Sequence, residues 1–162
     1  MALNAYLKLK GQKQGDIKGS VTQRGREDKI MVIASNHSIF SPSDESSGIP
    51  TGKYIHKPFV ITKEVDKSTP LLYQAFVSNE GMSEWKLQFW KPNASGAEVQ
   101  YYTVELTNAN IANIAFHMPN SKDPQLMKFM EYEEITFTYQ KIEWTWVESG
   151  VSASADWVAT GE

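Results

Sequence analysis

The last long apolar run of the chain, EYEEITFTYQKIEWTWV over residues 131–147, places the strongest constraint on the fold. Ile135 and Phe137 lie on odd positions, whereas Trp144 and Trp146 lie on even ones. Successive side chains of a strand point to opposite faces, so a strand with one buried face changes parity only through a bulge or a move to another sheet. The run therefore predicts a mainly β fold: a closed or nearly closed β-barrel made of two curved sheets, with about seven to nine strands.

The same alternation of apolar and polar residues recurs along most of the chain. It predicts strands wherever the period of two is sustained between turn residues. The tetrad NASG before Glu98 predicts a hairpin turn, and a short strand is possible in IKGSV, residues 17–21. Residues 119–129 are predicted to form a loop, with a possible helical turn. The predicted strands cover residues 3–9, 29–40, 56–65, 83–91, 98–107, 110–118 and 131–147.

A long polar segment, SPSDESSGIPTGKY over residues 41–54, separates two of these strands. It contains two prolines, two glycines and four serines, and turn residues of this kind predict a loop. Loops longer than about 12 residues are uncommon in compact domains and are usually functional or mobile. We therefore expect this extended loop to have a function.

One short helix is predicted after the strand at residues 56–65. Ser68 or Thr69 is the predicted N-cap, and Pro70 falls in the first turn, where its missing N–H is not needed. Apolar residues then recur at helical spacing, and Asn79 or Gly81 is expected to end the helix.

Composition limits the class of protein. The chain has 162 residues, which predicts one domain. Its net charge of −3 gives no attraction to nucleic acid, and no stretch is apolar enough to span a membrane. There is no cysteine, so disulfides and thiolate chemistry are excluded. The N-terminal stretch MALNAYLKLKGQ lacks the pattern of a signal peptide.

The residue types that usually carry catalysis or bind metal do not form a recognisable motif. His37, His56 and His117 lie in separate segments without metal-ligand spacing, so we expect them to be unrelated. Glu131 and Glu133 could serve glycoside hydrolysis, but a solvated start of a strand is the preferred interpretation. No nucleophile elbow or phosphate-binding loop is present.

The aromatic residues leave a second function open. A monomeric barrel could bind a ligand such as a glycan through them, although packing in the core and at interfaces is the better interpretation. Recognition of single-stranded nucleic acid needs basic neighbours, and the second half of the chain is acidic. These aromatic residues are Trp85, Trp90, Tyr101, Tyr102, Trp144, Trp146 and Trp157.

Four separated segments together resemble one family. HKPFVITKEVDKSTPLLYQAF at 56–76 is similar to the strand and helix signature of the Hcp family, the inner-tube protein (TssD) of bacterial type VI secretion systems. GDIKGSVTQRGREDKIMV at 15–32, HSIF at 37–40 and EEITFTYQKIEWTW at 133–146 occur in the order that the family shows. The C-terminal ESGVSASADW is similar as well.

The resemblance implies a structural subunit of a Gram-negative bacterium and not an enzyme. Family members are single β-barrel domains that form hexameric rings, and the rings stack into a tube inside a contractile sheath behind a VgrG spike. Effectors can travel in the lumen. We therefore expect a protein that is cytoplasmic until the system fires and is then secreted without a cleaved signal peptide. No cofactor and no C-terminal enzymatic extension are expected.

Two sets of site residues follow from the resemblance. The extended loop falls where the family has its own, so we expect it to supply ring-stacking contacts. The strand and helix signature is expected to have a structural role. The loop set is Phe40, Pro42, Asp44, Glu45, Gly48, Ile49, Pro50, Gly52 and Lys53; the signature set is His56, Pro58, Phe59, Thr62, Lys63, Asp66, Ser68, Pro70 and Leu72.

Overall fold

The computed structural model describes residues 1–52 and 54–157. Within them the chain forms thirteen strands and one helix, so the predicted mainly β fold with one short helix is confirmed. The elements are β1 (Ala5–Gly11), β2 (Gly15–Asp16), β3 (Ile30–Val32), β4 (Ala34–Asn36), β5 (Ile39–Phe40), β6 (Ile55–His56), β7 (Phe59–Glu64), α1 (Thr69–Val77), β8 (Met82–Pro92), β9 (Glu98–Thr107), β10 (Asn110–His117), β11 (Tyr132–Thr138), β12 (Lys141–Trp146) and β13 (Val151–Asp156).

The strands form three antiparallel sheets. The largest has the order β13-β12-β9-β8-β1-β2, with β3 also paired to β1. The second has the order β10-β11-β7-β4, and β5 pairs with β6 in a sheet of their own. The hydrogen bonds of the described residues keep these sheets separate, so they do not confirm a closed barrel.

The parity change in residues 131–147 marks a move between sheets, which is one of the two explanations that the sequence allowed. β11 ends at Thr138 in the four-stranded sheet, and β12 begins at Lys141 in the seven-stranded sheet. Between them Tyr139 is buried, and the N–H of Gln140 donates to the carbonyl of Thr107 over 3.0 Å. The apolar face therefore changes parity because the chain leaves one sheet and joins the other.

The predicted strand at residues 29–40 is wrong as one element. The structure divides it into β3, β4 and β5, and each piece pairs in a different sheet. The change from the first sheet to the second occurs at Ile33, whose N–H donates to the carbonyl of Thr62 over 2.9 Å. Alternation of side chains cannot reveal this break, because it reports the local backbone and not the partner strand.

One smaller prediction differs from the structure and another agrees with it. Residues 17–21 are not a strand; β2 lies just before them, although Ile17 and Val21 are buried. Residues 119–129 form a loop that contains one helical turn, since the N–H of Met127 donates to the carbonyl of Asp123 over 2.9 Å. Before that turn, Asn120 Oδ1 accepts from the N–H of Lys122 over 3.0 Å.

The core lies between the two large sheets. Trp85 on β8 is fully buried and packs edge-on against Phe59 on β7 and Phe137 on β11, with ring centroids 5.0 and 5.6 Å away. Each large aromatic ring buries on the order of 150–250 Å² of surface. The inward-facing residues of both sheets therefore hold the sheets together.

Helix α1 occupies the predicted position and packs onto the core through Leu72 and Ala75. Pro70 lies in its first turn, as predicted. The helix ends at Val77, and Asn79 follows with a φ of 56°, in the left-handed region that asparagine tolerates better than most residues. Among the described residues no helix has the length and apolar character needed to cross a bilayer.

Candidate assembly site

The predicted loop at residues 41–54 is part of a β-hairpin, which we call the arm (residues 38–57, described except at residue 53). Its two sides pair through β5 and β6, and beyond them Ser43 bridges to Pro50. The N–H of Asp44 donates to the carbonyl of Ile49 over 2.8 Å. Residues 43–50 are nevertheless all exposed. The chain therefore presents a paired hairpin whose residues 43–50 the rest of the described chain leaves uncovered.

The tip of the arm is closed by Asp44. Its Oδ1 accepts from the hydroxyl of Ser46 over 2.6 Å, the N–H of Ser46 over 2.8 Å and the N–H of Ser47 over 3.0 Å. These bonds, the Ser46 hydroxyl first, lower the pKa of Asp44. Gly48 then turns the chain back with a φ of 71°, which glycine adopts without strain. The Asp44 carboxylate thus has a local role in addition to any contact between subunits.

The structure brings the predicted ring-stacking residues together on this arm. Phe40 and Ile49 expose 54% and 64% of their surface, and Glu45 is exposed. Lys53 lies outside the described residues. The set that the arm brings together is Phe40, Pro42, Asp44, Glu45, Gly48, Ile49, Pro50 and Gly52.

Two histidines meet at the base of the arm, contrary to the expectation that all three would be unrelated. His37 Nε2 lies 2.7 Å from the hydroxyl of Tyr139, and His56 Nδ1 lies 3.1 Å from the same oxygen. That hydroxyl donates to the carbonyl of Lys57 over 3.2 Å. Trp157 stacks on His56 with ring centroids 5.5 Å apart. Tyr139, at the crossover between sheets, therefore connects both sides of the arm to the core.

The bonding pattern determines which ring nitrogen of each histidine donates. A tyrosine hydroxyl that donates to a carbonyl can accept two bonds, so His37 donates from Nε2 and His56 from Nδ1. Burial lowers the pKa of both histidines; the neighbouring His56 lowers that of His37 further, while Asp156 opposes the shift in His56. Burial also raises the pKa of Tyr139 to about 12. The cluster is therefore uncharged at neutral pH.

A buried ionic network joins β7 to β11 and to the helix. Lys63 Nζ lies 2.6 Å from Glu133 Oε1, 3.1 Å from Asp66 Oδ1 and 3.2 Å from Thr69 Oγ1. The Thr69 hydroxyl donates to Glu133 Oε1 over 2.9 Å. The side chains of Lys63 and Glu133 expose 0% and 1% of their surface. The expected solvated start of a strand is therefore wrong for Glu133.

The position of Glu133 also bears on the glycosidase hypothesis. A catalytic carboxylate must reach its substrate, whereas Glu133 is enclosed and paired with Lys63. Glu131, the other candidate, is exposed and precedes β11. No group of three or more histidines and carboxylates in the described ranges is arranged to hold a metal ion.

The predicted capping of α1 by Ser68 or Thr69 is wrong. The Ser68 backbone is already helical, and its side chain makes no capping bond. Asp66 organises the turn instead: its Oδ1 accepts from the N–H of Ser68 over 2.9 Å and from the Ser68 hydroxyl. Thr69 Oγ1 accepts from the N–H of Asp66 over 3.1 Å. The helix start is therefore fixed by an Asp turn tied to Lys63.

The remaining signature residues surround this network. Phe59 and Leu72 are buried in the core, and His56 belongs to the histidine cluster. Pro58 is exposed, and Thr62 lies on the outer face of β7. The segment thus connects arm, sheet and helix.

The sequence contained a signal for the missed network. Glu133 lies on the same odd positions as Ile135 and Phe137, and Lys63 on the same positions as Phe59 and Ile61. All of these point inward. Opposite charges at inward positions of two strands would have predicted a buried pair.

Comparison with known proteins assigns the family. Residues 6–146 match the family described as "Type VI secretion system effector, Hcp". The chain belongs to the Hcp family. The resemblance carried by the four sequence segments is therefore confirmed.

Relatives of the Hcp family match over almost the whole chain. The "Major exported protein" of Pseudomonas aeruginosa is 42% identical, over 97% of this chain and 96% of that protein. The crystal structure of an Hcp protein has a TM-score of 0.87 at 33% identity, over 96% of this chain and 100% of that one. The secreted protein Hcp3 from Pseudomonas aeruginosa has a TM-score of 0.78 at 35% identity, over 95% and 97%.

Proposed function

We propose that this chain is the tube subunit of a type VI secretion system. Six copies form a ring, and rings stack into the inner tube that is expelled with its effectors. Membership of the Hcp family and the match over residues 6–146 support this proposal. In the assembled subunit, residues 1–162 act as one domain, and its two curved sheets approach a barrel.

The single observation that carries the proposal is the uncovered arm. Phe40, Ile49, Tyr54 and Ile55 expose between 44% and 64% of their surface on a hairpin whose sides already pair within one chain. A preformed element loses little conformational entropy when it binds. Apolar side chains held in this way suit a contact with another subunit, and the arm is the proposed ring-stacking element.

The open edges of the large sheets supply the proposed contacts within a ring. Among the described residues, β10 pairs only with β11, and residues 151–155 of β13 pair only with β12. Unpaired strand edges are templates for pairing with another chain. Six identical head-to-tail contacts that close give a ring, as heterologous interfaces do when the rotation closes.

Export and partners follow from the same assignment. The names of two relatives, "Major exported protein" and "Secreted protein Hcp3", support secretion. The proposed partners are further copies of this chain, the VgrG spike, the contractile sheath and effector proteins. The role requires no catalysis and no cofactor, because a tube subunit acts by binding other subunits through complementary surfaces.

Light scattering on the purified protein tests the subunit assignment. A ring of six chains of 18.3 kDa has a mass of about 110 kDa. A monomer across the micromolar range would contradict the proposal and would favour the ligand-binding barrel that the sequence left open.

A further inference from the structure

An apolar groove lies on the outer side of the four-stranded sheet. It occupies about 680 Å³ where β10 ends, β11 begins and residues 118–130 fold across. A volume of this size accommodates several side chains of a binding partner. Most of its lining is apolar and includes Ile33, Phe116, Met118, Leu126, Phe129 and Tyr132.

The rim of the groove exposes an unusual amount of apolar surface. Phe116, Met118, Met127, Phe129 and Met130 are each between 54% and 65% exposed. Contiguous apolar patches on a soluble protein mark interaction sites more often than chance, and methionine adapts its shape to a partner. We therefore expect a binding partner to cover this groove.

The groove and the arm lie at opposite ends of the same strand. Register places Glu64, the last residue of β7, opposite Tyr132, which in turn is opposite His117 beside the groove. The arm begins at the other end, where the N–H of Lys57 donates to the carbonyl of Ser38 over 3.1 Å. β7 has six residues and spans roughly 20 Å.

The tip of the arm and the rim of the groove carry opposite charges, although over residues 38–57 Lys53 and Lys57 balance Asp44 and Glu45. Residues 40–52 of the arm carry Asp44 and Glu45 and no basic residue. Residues 118–130 beside the groove carry Lys122 and Lys128 against one acidic residue, Asp123. Lys128 Nζ lies 5.4 Å from the ring centre of Phe129, which lines the groove. An acidic arm tip is therefore attracted to this rim.

The sheet side of the groove is acidic, unlike the basic rim at residues 122–128. This difference favours one orientation of a docked arm. Glu134 lies there, 3.6 Å from His117 Nε2. An arm that enters with its acidic tip toward residues 122–128 avoids Glu134, and Ile49 and Pro50 then face the apolar floor. The exposure of Ile49 shows that the arm does not fill the groove of its own subunit.

We propose that the arm of one copy docks in the groove of the copy above it, with Ile49 on the apolar floor and Glu45 beside Lys128. This inference rests on the proposed tube function and names the surface that receives the arm. Because donor and acceptor lie at opposite ends of one strand, each copy binds one neighbour and is bound by another. Such heterologous contacts continue without closing, as a stack of rings requires.

Cysteine cross-linking tests the contact directly, because the natural chain has no cysteine. The variant Ile49→Cys/Met118→Cys, assembled and then oxidised with copper phenanthroline, is expected to give a ladder of covalent oligomers on a non-reducing gel. Each single variant should give no species larger than a dimer. Ile49→Cys/Val77→Cys is the matched control, since Val77 is 75% exposed on α1, outside the groove.

The outcomes separate this contact from the tube function. Stacked rings in micrographs without a ladder from Ile49→Cys/Met118→Cys would overturn the docking proposal and leave the tube function intact. An equal ladder from the Val77 control would overturn it as well, because the contact would not be specific. Monomers in both assays would contradict the tube function itself.

Charge reversal gives a second, independent test. Glu45→Lys should weaken stacking at low salt, and adding Lys128→Glu in the same chain should restore it. Both side chains are exposed, so folding is expected to be retained and melting curves will check this. Loss of stacking in both variants, without restoration in the double variant, would contradict the predicted pairing of these residues.

Discussion

Lys63 Nζ and Glu133 Oε1 lie 2.6 Å apart with both side chains enclosed in the protein. The pair links the middle strands β7 and β11, and Asp66 and Thr69 extend it to the start of α1. Taking two charges out of water costs free energy that only good geometry and further hydrogen bonds offset. The network therefore couples the stability of the four-stranded sheet to that of helix α1.

Replacing one member of this pair should destabilise the fold strongly. Glu133→Leu leaves the Lys63 ammonium buried with only Asp66 and Thr69, and we expect a loss of roughly 3–5 kcal/mol in the free energy of unfolding. Urea denaturation measures it. The double variant Lys63→Met/Glu133→Leu should recover much of the loss, because neither fully enclosed charge is left without its partner. Asp66, whose side chain is 15% exposed, keeps the bonds from Ser68.

An exposed ion pair provides the control for that experiment. Lys8 Nζ lies 3.3 Å from Glu84 Oε1, and the two side chains are 51% and 30% exposed. Glu84→Gln should cost less than about 1 kcal/mol. Similar losses for Glu84→Gln and Glu133→Leu would contradict the importance assigned to burial.

The turn before the helix should depend on Asp66 more than on Ser68. Asp66→Ala removes the acceptor for Ser68 and one partner of Lys63, so we expect a loss of about 1–3 kcal/mol. Ser68→Ala removes one donor and should cost about 0.5–1.5 kcal/mol. Urea denaturation of both variants compares them. Equal losses would favour the serine cap that the sequence suggested.

Acid should destabilise the base of the arm. Burial lowers the pKa of His37 and His56 below the unfolded value of about 6.5. At a pH between the folded and the unfolded pKa values, the unfolded chain binds more protons than the folded chain does. The stabilisation from the two neutral histidines is therefore fully present above about pH 6.5 and decreases as the pH falls toward their folded pKa values. Melting temperatures at pH 7.5 and 5.5 will show this loss.

The control for the acid effect is a matched set of histidine variants. His37→Gln/His56→Gln should reduce the difference between the two pH values, whereas His117→Gln should leave it unchanged. His117 is exposed and stacks on Tyr132, away from the Tyr139 cluster. A pH dependence that is the same in all three proteins would contradict the role of the cluster.

Shortening the arm should separate ring formation from stacking. Deletion of residues 43–50 removes the exposed tip but not the β5 and β6 pairs or the Tyr139 contacts at its base. We expect unchanged ring mass by light scattering and loss of stacks in micrographs. Stacks that form as in the natural chain would show that the arm is not the stacking element.

The sequence predicted local backbone well. β9 occupies the predicted residues 98–107, and the parity change before Lys141 located the move between sheets. Both features depend on alternation along one segment. The break of residues 29–40 into three strands was not predicted, because the partners of each piece lie elsewhere in the chain.

The sequence predicted where the exposed segment of residues 41–54 lies, but not the contacts within it. The arm was expected as a polar loop, yet its backbone pairs as a hairpin whose turn Asp44 closes. His37 and His56 both contact Tyr139. His56 follows His37 by 19 residues, and Tyr139 follows His56 by 83 residues. Convergence of this kind depends on the strand order, which composition and spacing do not determine.

The most direct test of the central claim is negative-stain electron microscopy of the purified chain. The account predicts six-fold rings with an open centre and, at high concentration, short stacks of rings in one polarity. Single particles the size of one 18.3 kDa chain, without rings at any concentration, would contradict it.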